Sequence, residues 1–264
     1  TRILYAMERG AMAYIERDGV KVYFEDHGTG PGVLLSHGFS CSSTMWRDQV
    51  EVLQDRYRVM TWDMRGHGQS DYPDDPEAYS EAHTAADMAA ILDACGVQKA
   101  MVGGLSLGGC ASLGFHIAHP GRTAGLMLFD TGPGFRKDEA RAAWNDVAYK
   151  RAAAFEANGL AELGDGPAVQ IAGHRDATGL AHAARGMLAQ SNAAMMESLP
   201  TIAVPTLVLV GAEDVKFHAA TDYMAKKIPG AQKVVLENAG HEANMDQPAA
   251  FNAAMCGFLD GLKF

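Results

Sequence analysis

The run Val102-Gly103-Gly104-Leu105-Ser106-Leu107-Gly108-Gly109 decides the fold. A short apolar segment, residues 100–104, enters it, and a helix-compatible stretch, residues 107–118, leaves it before Pro120. Its centre reads G-x-S-x-G, with Gly104, Ser106 and Gly108. A chain that turns sharply from strand into helix strains the backbone at the apex, and the residues two before and two after it must lack side chains. Such a turn exposes the Ser106 hydroxyl and aims the next backbone N–H, that of Leu107, at a reacting oxygen. A glycine-rich helix start that only packs against a neighbour would carry the same five residues, so the surrounding chain has to decide between the two.

Outward from this turn, strand-like and helix-like segments alternate. Upstream, residues 13–17 and 20–26 flank Asp18-Gly19, a two-residue hairpin signal. The loop Gly28-Thr29-Gly30-Pro31-Gly32 runs into the apolar Val33-Leu34-Leu35, not into a helix, so it lacks the helix N-terminus that a dinucleotide phosphate needs. Residues 43–53 read as a helix and 57–62 as a buried strand. Residues 80–95 read as a helix with Met88, Ile91, Leu92 and Cys95 apolar and Gly96 ending it. Downstream, 126–129, 206–210 and 233–236 read as strands, and 218–227 and 248–262 as helices. Between them, residues 131–199 are Ala-rich and helical with no clear strand. This alternation predicts an α/β fold with a mostly parallel sheet, helices on both faces and the hairpin at one edge. The expected division is a core of residues 1–130 and 201–264 and an inserted helical cap of residues 131–200, above the carboxyl ends of the strands, where such sheets bind ligands.

A serine nucleophile needs a base, and the base needs an orienting carboxylate. Asp214 follows the strand 206–210, and His241 follows the strand 233–236 within Asn238-Ala239-Gly240-His241. Both should therefore reach the sheet edge where Ser106 lies. Glu213 adjoins Asp214, and Asp130 also ends a strand and stands as a second candidate for the acid. His37-Gly38-Phe39, after the strand 33–35, supplies a second oxyanion donor in the Phe39 N–H, with His37 expected to hold its loop by bonding backbone. The loop 62–70 is expected to be structural, with Asp63 and Arg65 as a local ion pair. A largely apolar pocket is expected from Phe39, Leu107, Trp144, Met187 and Met195. The alternative for Met187, Met195 and Met196 is ordinary packing within the cap. Trp46 is expected in the core, and His174 and His182 of the cap are open to a substrate contact.

The chain has 264 residues, 48% hydrophobic and 20% charged, a composition that suits a globular protein. Its net charge of -10 disfavours nucleic acid and anionic membranes as partners. No apolar run of about 18 residues occurs, and the first residues lack a secretory pattern, so a cytoplasmic protein is expected. Cys41, Cys95, Cys110 and Cys256 form no CxxC pair and are expected as reduced thiols. No metal is expected. His116 and His119 have no acidic partner at ligand spacing, and Met245 stands where H-E-x-x-H would need its second histidine. Assembly into a homo-oligomer is left open.

In order and spacing, His37-Gly38-Phe39, the run Asp63-Met64-Arg65-Gly66-His67-Gly68-Gln69-Ser70, the Ser106 turn, Val204-Pro205-Thr206-Leu207 with Gly211 and Asp214, and Gly240-His241 resemble the α/β-hydrolase family over nearly the whole chain. The resemblance implies an eight-stranded, mostly parallel sheet, an inserted helical cap, a Ser106–His241–Asp214 triad and no cofactor. Related epoxide hydrolases and haloalkane dehalogenases carry aspartate at the turn, and Ser106 excludes their chemistry. The Ser106 turn and the tail from His241 to Pro248 are similar to those of 3-oxoadipate enol-lactonases and small bacterial carboxylesterases. The function this implies is hydrolysis of an ester or lactone of a small, largely apolar molecule through an acyl-enzyme on Ser106. Three alternatives share the fold: a carbon–carbon bond hydrolase of a ring-cleavage diketone, a cofactor-free perhydrolase and a ligand-binding protein with little turnover. The first would be expected to use a cationic cap group, with Arg136, Arg151, Arg175 and Arg185 available.

Overall fold

Asp18 and Gly19 adopt φ values of 55° and 77°, the left-handed pair that a tight hairpin turn demands. They join β2 (Met12–Arg17) to β3 (Val20–His27) in antiparallel register, Arg17 opposite Val20. The computed structural model describes residues 2–3 and 12–262. Its other strands are β1 (Arg2–Ile3), β4 (Gly32–Ser36), β5 (Arg58–Trp62), β6 (Ala100–Leu105), β7 (Thr123–Phe129), β8 (Thr206–Gly211) and β9 (Gln232–Leu236). All lie in one sheet of order β1-β2-β3-β5-β4-β6-β7-β8-β9. From β5 to β9 every pairing is parallel, and β1, β2 and β3 extend one edge through antiparallel pairings. The eight anticipated strands are all present, and the two-residue β1 adds a ninth at the hairpin edge.

The helices are α1 (Arg47–Leu53), α2 (Glu81–Ala94), α3 (Leu107–Ala118), α4 (Asp138–Asn158), α5 (Pro167–Gln170), α6 (Ala177–Ala183), α7 (Ala194–Ser198), α8 (Val215–Lys227), α9 (Ala243–Asp246) and α10 (Pro248–Asp260). The segment expected as one helix over 43–53 divides into a 3-10 turn, Ser43–Trp46, and α1. Helix α2 starts where Ser80 accepts the His83 N–H on its hydroxyl, a serine cap.

Two apolar clusters explain why the parallel strands read as unbroken apolar runs. On one face Leu34, Met60, Val102 and Leu128 pack with Met88, Ile91 and Leu92 of α2 and Leu113 and Phe115 of α3. On the other, Val33, Leu35, Val59, Met101 and Phe129 pack with Val50 and Leu53 of α1 and Phe251, Met255 and Phe258 of α10. Successive residues point to opposite faces, so a strand covered on both sides must be apolar throughout. Trp46 is fully buried in the second cluster against Phe129 and Phe251, as expected of a core residue.

Residues 131–200 lie between β7 and β8 and hold α4 to α7, with a π-helical turn, Ala184–Leu188, continuing α6. No strand occurs among them. The chain leaves β4 for β5 on one side and, after α2, returns to β6 on the other. The carboxyl ends of β4 and β6 thus flank the point where the strand order reverses, the crevice such sheets use for ligands.

The expected Asp63–Arg65 ion pair is not formed. Asp63 accepts the backbone N–H groups of Ser43 (2.7 Å) and Gln69 (2.8 Å) and so braces its own loop. Arg65 instead makes a two-pronged contact with Asp87 of α2, at 2.7 and 2.9 Å, and Arg17 of β2 meets the same carboxylate at 2.6 Å. Asp87 is fully buried and Arg65 almost so. Neighbours in sequence cannot turn two long side chains onto each other as well as α2 presents a fixed carboxylate. Replacing Asp87 by Ala leaves Arg65 as an uncompensated buried charge and should cost about 3–5 kcal/mol. Urea unfolding of Asp87→Ala beside wild type measures this, and Asp87→Asn, which keeps one acceptor, should lose less.

Candidate active site

Ser106 sits at the tip of β6 with φ 54° and ψ -113°, outside the comfortable regions for a residue with a side chain. Its N–H donates to the Phe129 carbonyl at 2.9 Å. Its own carbonyl accepts the Thr131 hydroxyl at 2.6 Å and the N–H of Gly109 at 3.0 Å. The flanking glycines are needed for the reason expected and for one more. A Cβ on Gly104 would lie 2.4 Å from the carbonyl carbon of Gly108, inside the turn itself. A Cβ on Gly108 would lie 2.0 Å from the Ser36 oxygen, because α3 starts hard against the end of β4.

The candidate acid and base follow β8 and β9. Asp214 follows β8, is 7% exposed, and opens α8. His241 follows β9, and its Nδ1 donates to Asp214 Oδ2 at 2.7 Å. The two loops are tied by backbone: Ala212 N–H donates to the Leu236 carbonyl and Glu213 N–H to the Ala239 carbonyl, each at 2.8 Å. Gly211 permits this, since a Cβ there would lie 2.3 Å from the Gly240 oxygen. Glu213 is exposed and makes no hydrogen bond or ion pair with His241 among the described residues. Phe217, one turn into α8, stacks on the His241 ring with centroids 4.9 Å apart and planes 25° from parallel. The Ser106 hydroxyl makes no hydrogen bond among the described residues, to His241 Nε2 or to any other group, so of the expected triad only the Asp214–His241 contact is formed.

Asp130, the second candidate acid, lies behind this pair. Its Oδ1 accepts the Gly211 N–H at 2.8 Å, and its buried Oδ2 has no partner among the described residues. Burial, and the negative charge of Asp214 beside it, push its carboxyl up to about 8, so at neutral pH it is mostly uncharged. The imidazole contact therefore belongs to Asp214, and Asp130 supports the Gly211 turn.

Phe39 follows β4, whose Ser36 is level with Gly104 of β6. Among the described residues neither the Phe39 nor the Leu107 N–H has an acceptor, and Leu107 is the first residue of α3, where a free N–H is expected. His37 bonds backbone on both sides. Its Nδ1 donates to the Gly38 carbonyl at 2.7 Å and its Nε2 accepts the Met64 N–H at 2.9 Å. Burial holds its pKa down to about 3, so it stays neutral and structural. The Phe39 ring meets His67, Phe155 of α4 and the guanidinium of Arg151.

The residues of the inserted segment 131–200 distribute unevenly. Trp144 spends its indole N–H on the Leu188 carbonyl at 2.9 Å and lies against Phe135, which binds it into the cap's own packing. Met187 and Met195 pack against the same apolar cluster that contains Phe39 and Leu107. His174 is not open to a substrate: its Nε2 donates to the Ser40 carbonyl at 2.9 Å and its Nδ1 accepts the Gly68 N–H at 3.1 Å. It clamps the cap to the loop carrying Phe39. His182 lies against Tyr79. No cluster of metal-ligating side chains occurs among the described residues, and all four cysteines are free. Phe217 was not legible as a site residue, because only the meeting of the β8 and β9 loops places it on the imidazole.

Residues 33–254 match the profile of the Alpha/beta hydrolase family. The chain is 30% identical to 3-oxoadipate enol-lactonase 1 of Acinetobacter baylyi, over 88% of this chain and 90% of that one. It superposes on a thermophilic esterase from Thermogutta terrifontis, solved with malate bound, with a TM-score of 0.80 and 31% identity, covering 95% of this chain and 98% of the other. It also superposes on the enol-lactonase from Burkholderia xenovorans LB400 with a TM-score of 0.75 and 25% identity, covering 94% and 99%. None of the described helices is long and apolar enough to cross a membrane.

Asp130 binds a proton in the folded chain up to about pH 8, whereas an unfolded aspartate releases it near 4. The folded state then binds more protons across that window, so this group's contribution to stability is present below pH 4 and lost as pH rises to 8. Denaturation midpoints measured from pH 4 to 8 should show a fall that Asp130→Asn makes shallower, since the amide stays neutral throughout.

Proposed function

The chain belongs to the alpha/beta hydrolase family, and from that premise we propose that it is a serine hydrolase of carboxylic esters or lactones, working through an acyl-enzyme on Ser106. The observation that carries this reading is the 2.7 Å contact of His241 Nδ1 with Asp214. It fixes the tautomer and leaves Nε2 as the nitrogen that can take a proton. The enol-lactonase and esterase relatives support ester or lactone hydrolysis.

In this mechanism a substrate carbonyl enters between the free Phe39 and Leu107 N–H groups. Ser106 Oγ attacks the carbonyl carbon while His241 Nε2 takes the hydroxyl proton. Asp214 steadies the imidazolium, and Phe217 keeps the ring in plane. The two N–H donors bind the developing oxyanion and are worth about 3 kcal/mol each. His241 passes its proton to the leaving alcohol oxygen, which departs and leaves the acyl group on Ser106. A water then gives its proton to His241 and attacks the ester, releasing the acid and restoring Ser106. Asp130, uncharged, does not compete with Asp214 for the imidazole. The pocket lining draws on Phe39, Leu107, Met187 and Met195, which suits an otherwise apolar substrate.

The test is hydrolysis of short p-nitrophenyl esters, with a serine-reactive phosphonate whose adduct is located by mass spectrometry. The adduct should fall on Ser106, and Ser106→Ala should lower kcat by about four orders of magnitude or more. Asp214→Asn should lose far more activity than Asp130→Asn. Equal rates for wild type and Ser106→Ala, with no adduct, would overturn the proposal, and turnover confined to a ring-cleavage diketone would move it to carbon–carbon bond hydrolysis.

A further inference from the structure

The tip of β7 lies between the two halves of the candidate site. On one side it pairs with β6, which ends at the Ser106 turn, and on the other with β8, which leads to Asp214. Leu105 stands opposite Phe129, so Ser106 and Asp130 are the next residues of their strands. Asp130 has φ 45°, in the left-handed region, like its neighbour Ser106. In a regular strand, residues 130 and 131 would point to opposite faces of the sheet. Here they reach along it instead. Asp130 Oδ1 accepts the Gly211 N–H of β8 at 2.8 Å, and the Thr131 hydroxyl donates to the Ser106 carbonyl at 2.6 Å.

The Thr131 bond bears on more than the serine. The Ser106 carbonyl and the Leu107 N–H belong to one planar peptide group, so fixing the oxygen fixes the direction of the N–H. That N–H is a candidate oxyanion donor. The same carbonyl also takes the Gly109 and Cys110 N–H groups at 3.0 and 3.2 Å. Those two belong to α3 and would follow the helix if it rocked, whereas Thr131 stands outside it, at the end of β7. A Cβ on Gly109 would lie 2.5 Å from the Thr131 methyl carbon, so the first turn of α3 rests on this side chain. Next in the chain, the Gly132 carbonyl accepts the Cys110 thiol at 3.3 Å. Thr131 is buried, and water does not compete for its hydroxyl. A hydrogen bond accepted by a carbonyl also polarises its peptide and strengthens the N–H at the other end.

We infer that Thr131 is a positioning residue, whose hydroxyl aims the Leu107 N–H at the developing oxyanion through the Ser106–Leu107 peptide. Asp130 ties the same tip to the acid loop at Gly211, so the oxyanion donor and the Asp214–His241 pair share one frame. The consequence for rate rests on the serine hydrolase reading.

Thr131→Val keeps the shape and removes the donor, and Thr131→Ser keeps the donor. With p-nitrophenyl butyrate, Thr131→Val should lower kcat roughly 10- to 100-fold and leave KM within about twofold, because the aimed donor matters most where charge develops. Thr131→Ser should recover most of the loss. Butylboronic acid joins Ser106 Oγ reversibly as a tetrahedral adduct, and its inhibition should weaken by about the factor that kcat/KM loses. Thermal melting of each variant shows that it is folded. Crystal structures need no turnover: the Ser106–Leu107 peptide should be rotated in Thr131→Val and unmoved in Thr131→Ser. An unchanged kcat in Thr131→Val, a loss carried by KM, no recovery in Thr131→Ser, or an unrotated peptide in Thr131→Val would each overturn the inference. A rotated peptide in Thr131→Val, where the wild type hydrolyses no ester and takes no adduct on Ser106, would sustain the aiming role and remove the serine hydrolase reading.

Discussion

Everything at the site depends on a close approach of backbone to backbone at the ends of β4 and β6. Helix α3 begins so near the Ser36 carbonyl that residue 108 cannot carry a side chain. That contact holds Ser106 in a left-handed conformation which serine would not choose alone, at a cost of about 1–3 kcal/mol. The strain persists because β6 is buried on both faces and its tip is bonded to Phe129 and Thr131. In return the hydroxyl stands at the tip of β6, and the first N–H of α3 has no acceptor among the described residues.

A second close approach, Gly211 against the Gly240 carbonyl, brings the acid and base loops together. The buried region behind them contains two carboxyl groups, Asp130 and Asp214, in a place that tolerates one charge. The structure separates them by partner. Asp214 receives the imidazole N–H, and Asp130, beside it, receives the Gly211 N–H and is mostly protonated at neutral pH. The same chemical group thus acts as a charge in one position and as a neutral support in the other.

The inserted segment 131–200 is tied to the rest of the chain through the Phe39 loop. His174 joins Ser40 to Gly68, and Arg151 and Phe155 lie on the Phe39 ring. A movement of the cap is therefore felt where the candidate oxyanion donor sits. Residues of the inserted segment and the candidate oxyanion donor thus meet at one loop.

By itself the chain determined the alternation of elements, since a sheet buried on both faces must be written in continuous apolar runs, and the strained turn, since only glycine fits two places from Ser106 on either side. It also placed Asp214 and His241, because each follows a strand whose carboxyl end the fold brings to the same edge. Contacts between residues distant in sequence were decided only in three dimensions. Arg65 chose Asp87 over the nearby Asp63 because α2 presents a fixed, buried carboxylate. Phe217 met His241 because two loops converge. His174 became a clamp, Trp144 was drawn into the cap, and Arg151 came to lie over Phe39. Local pattern specifies which backbone a segment prefers and which face it buries. The partner of a long polar side chain depends on what packing brings within its reach, and that is set by the tertiary structure alone.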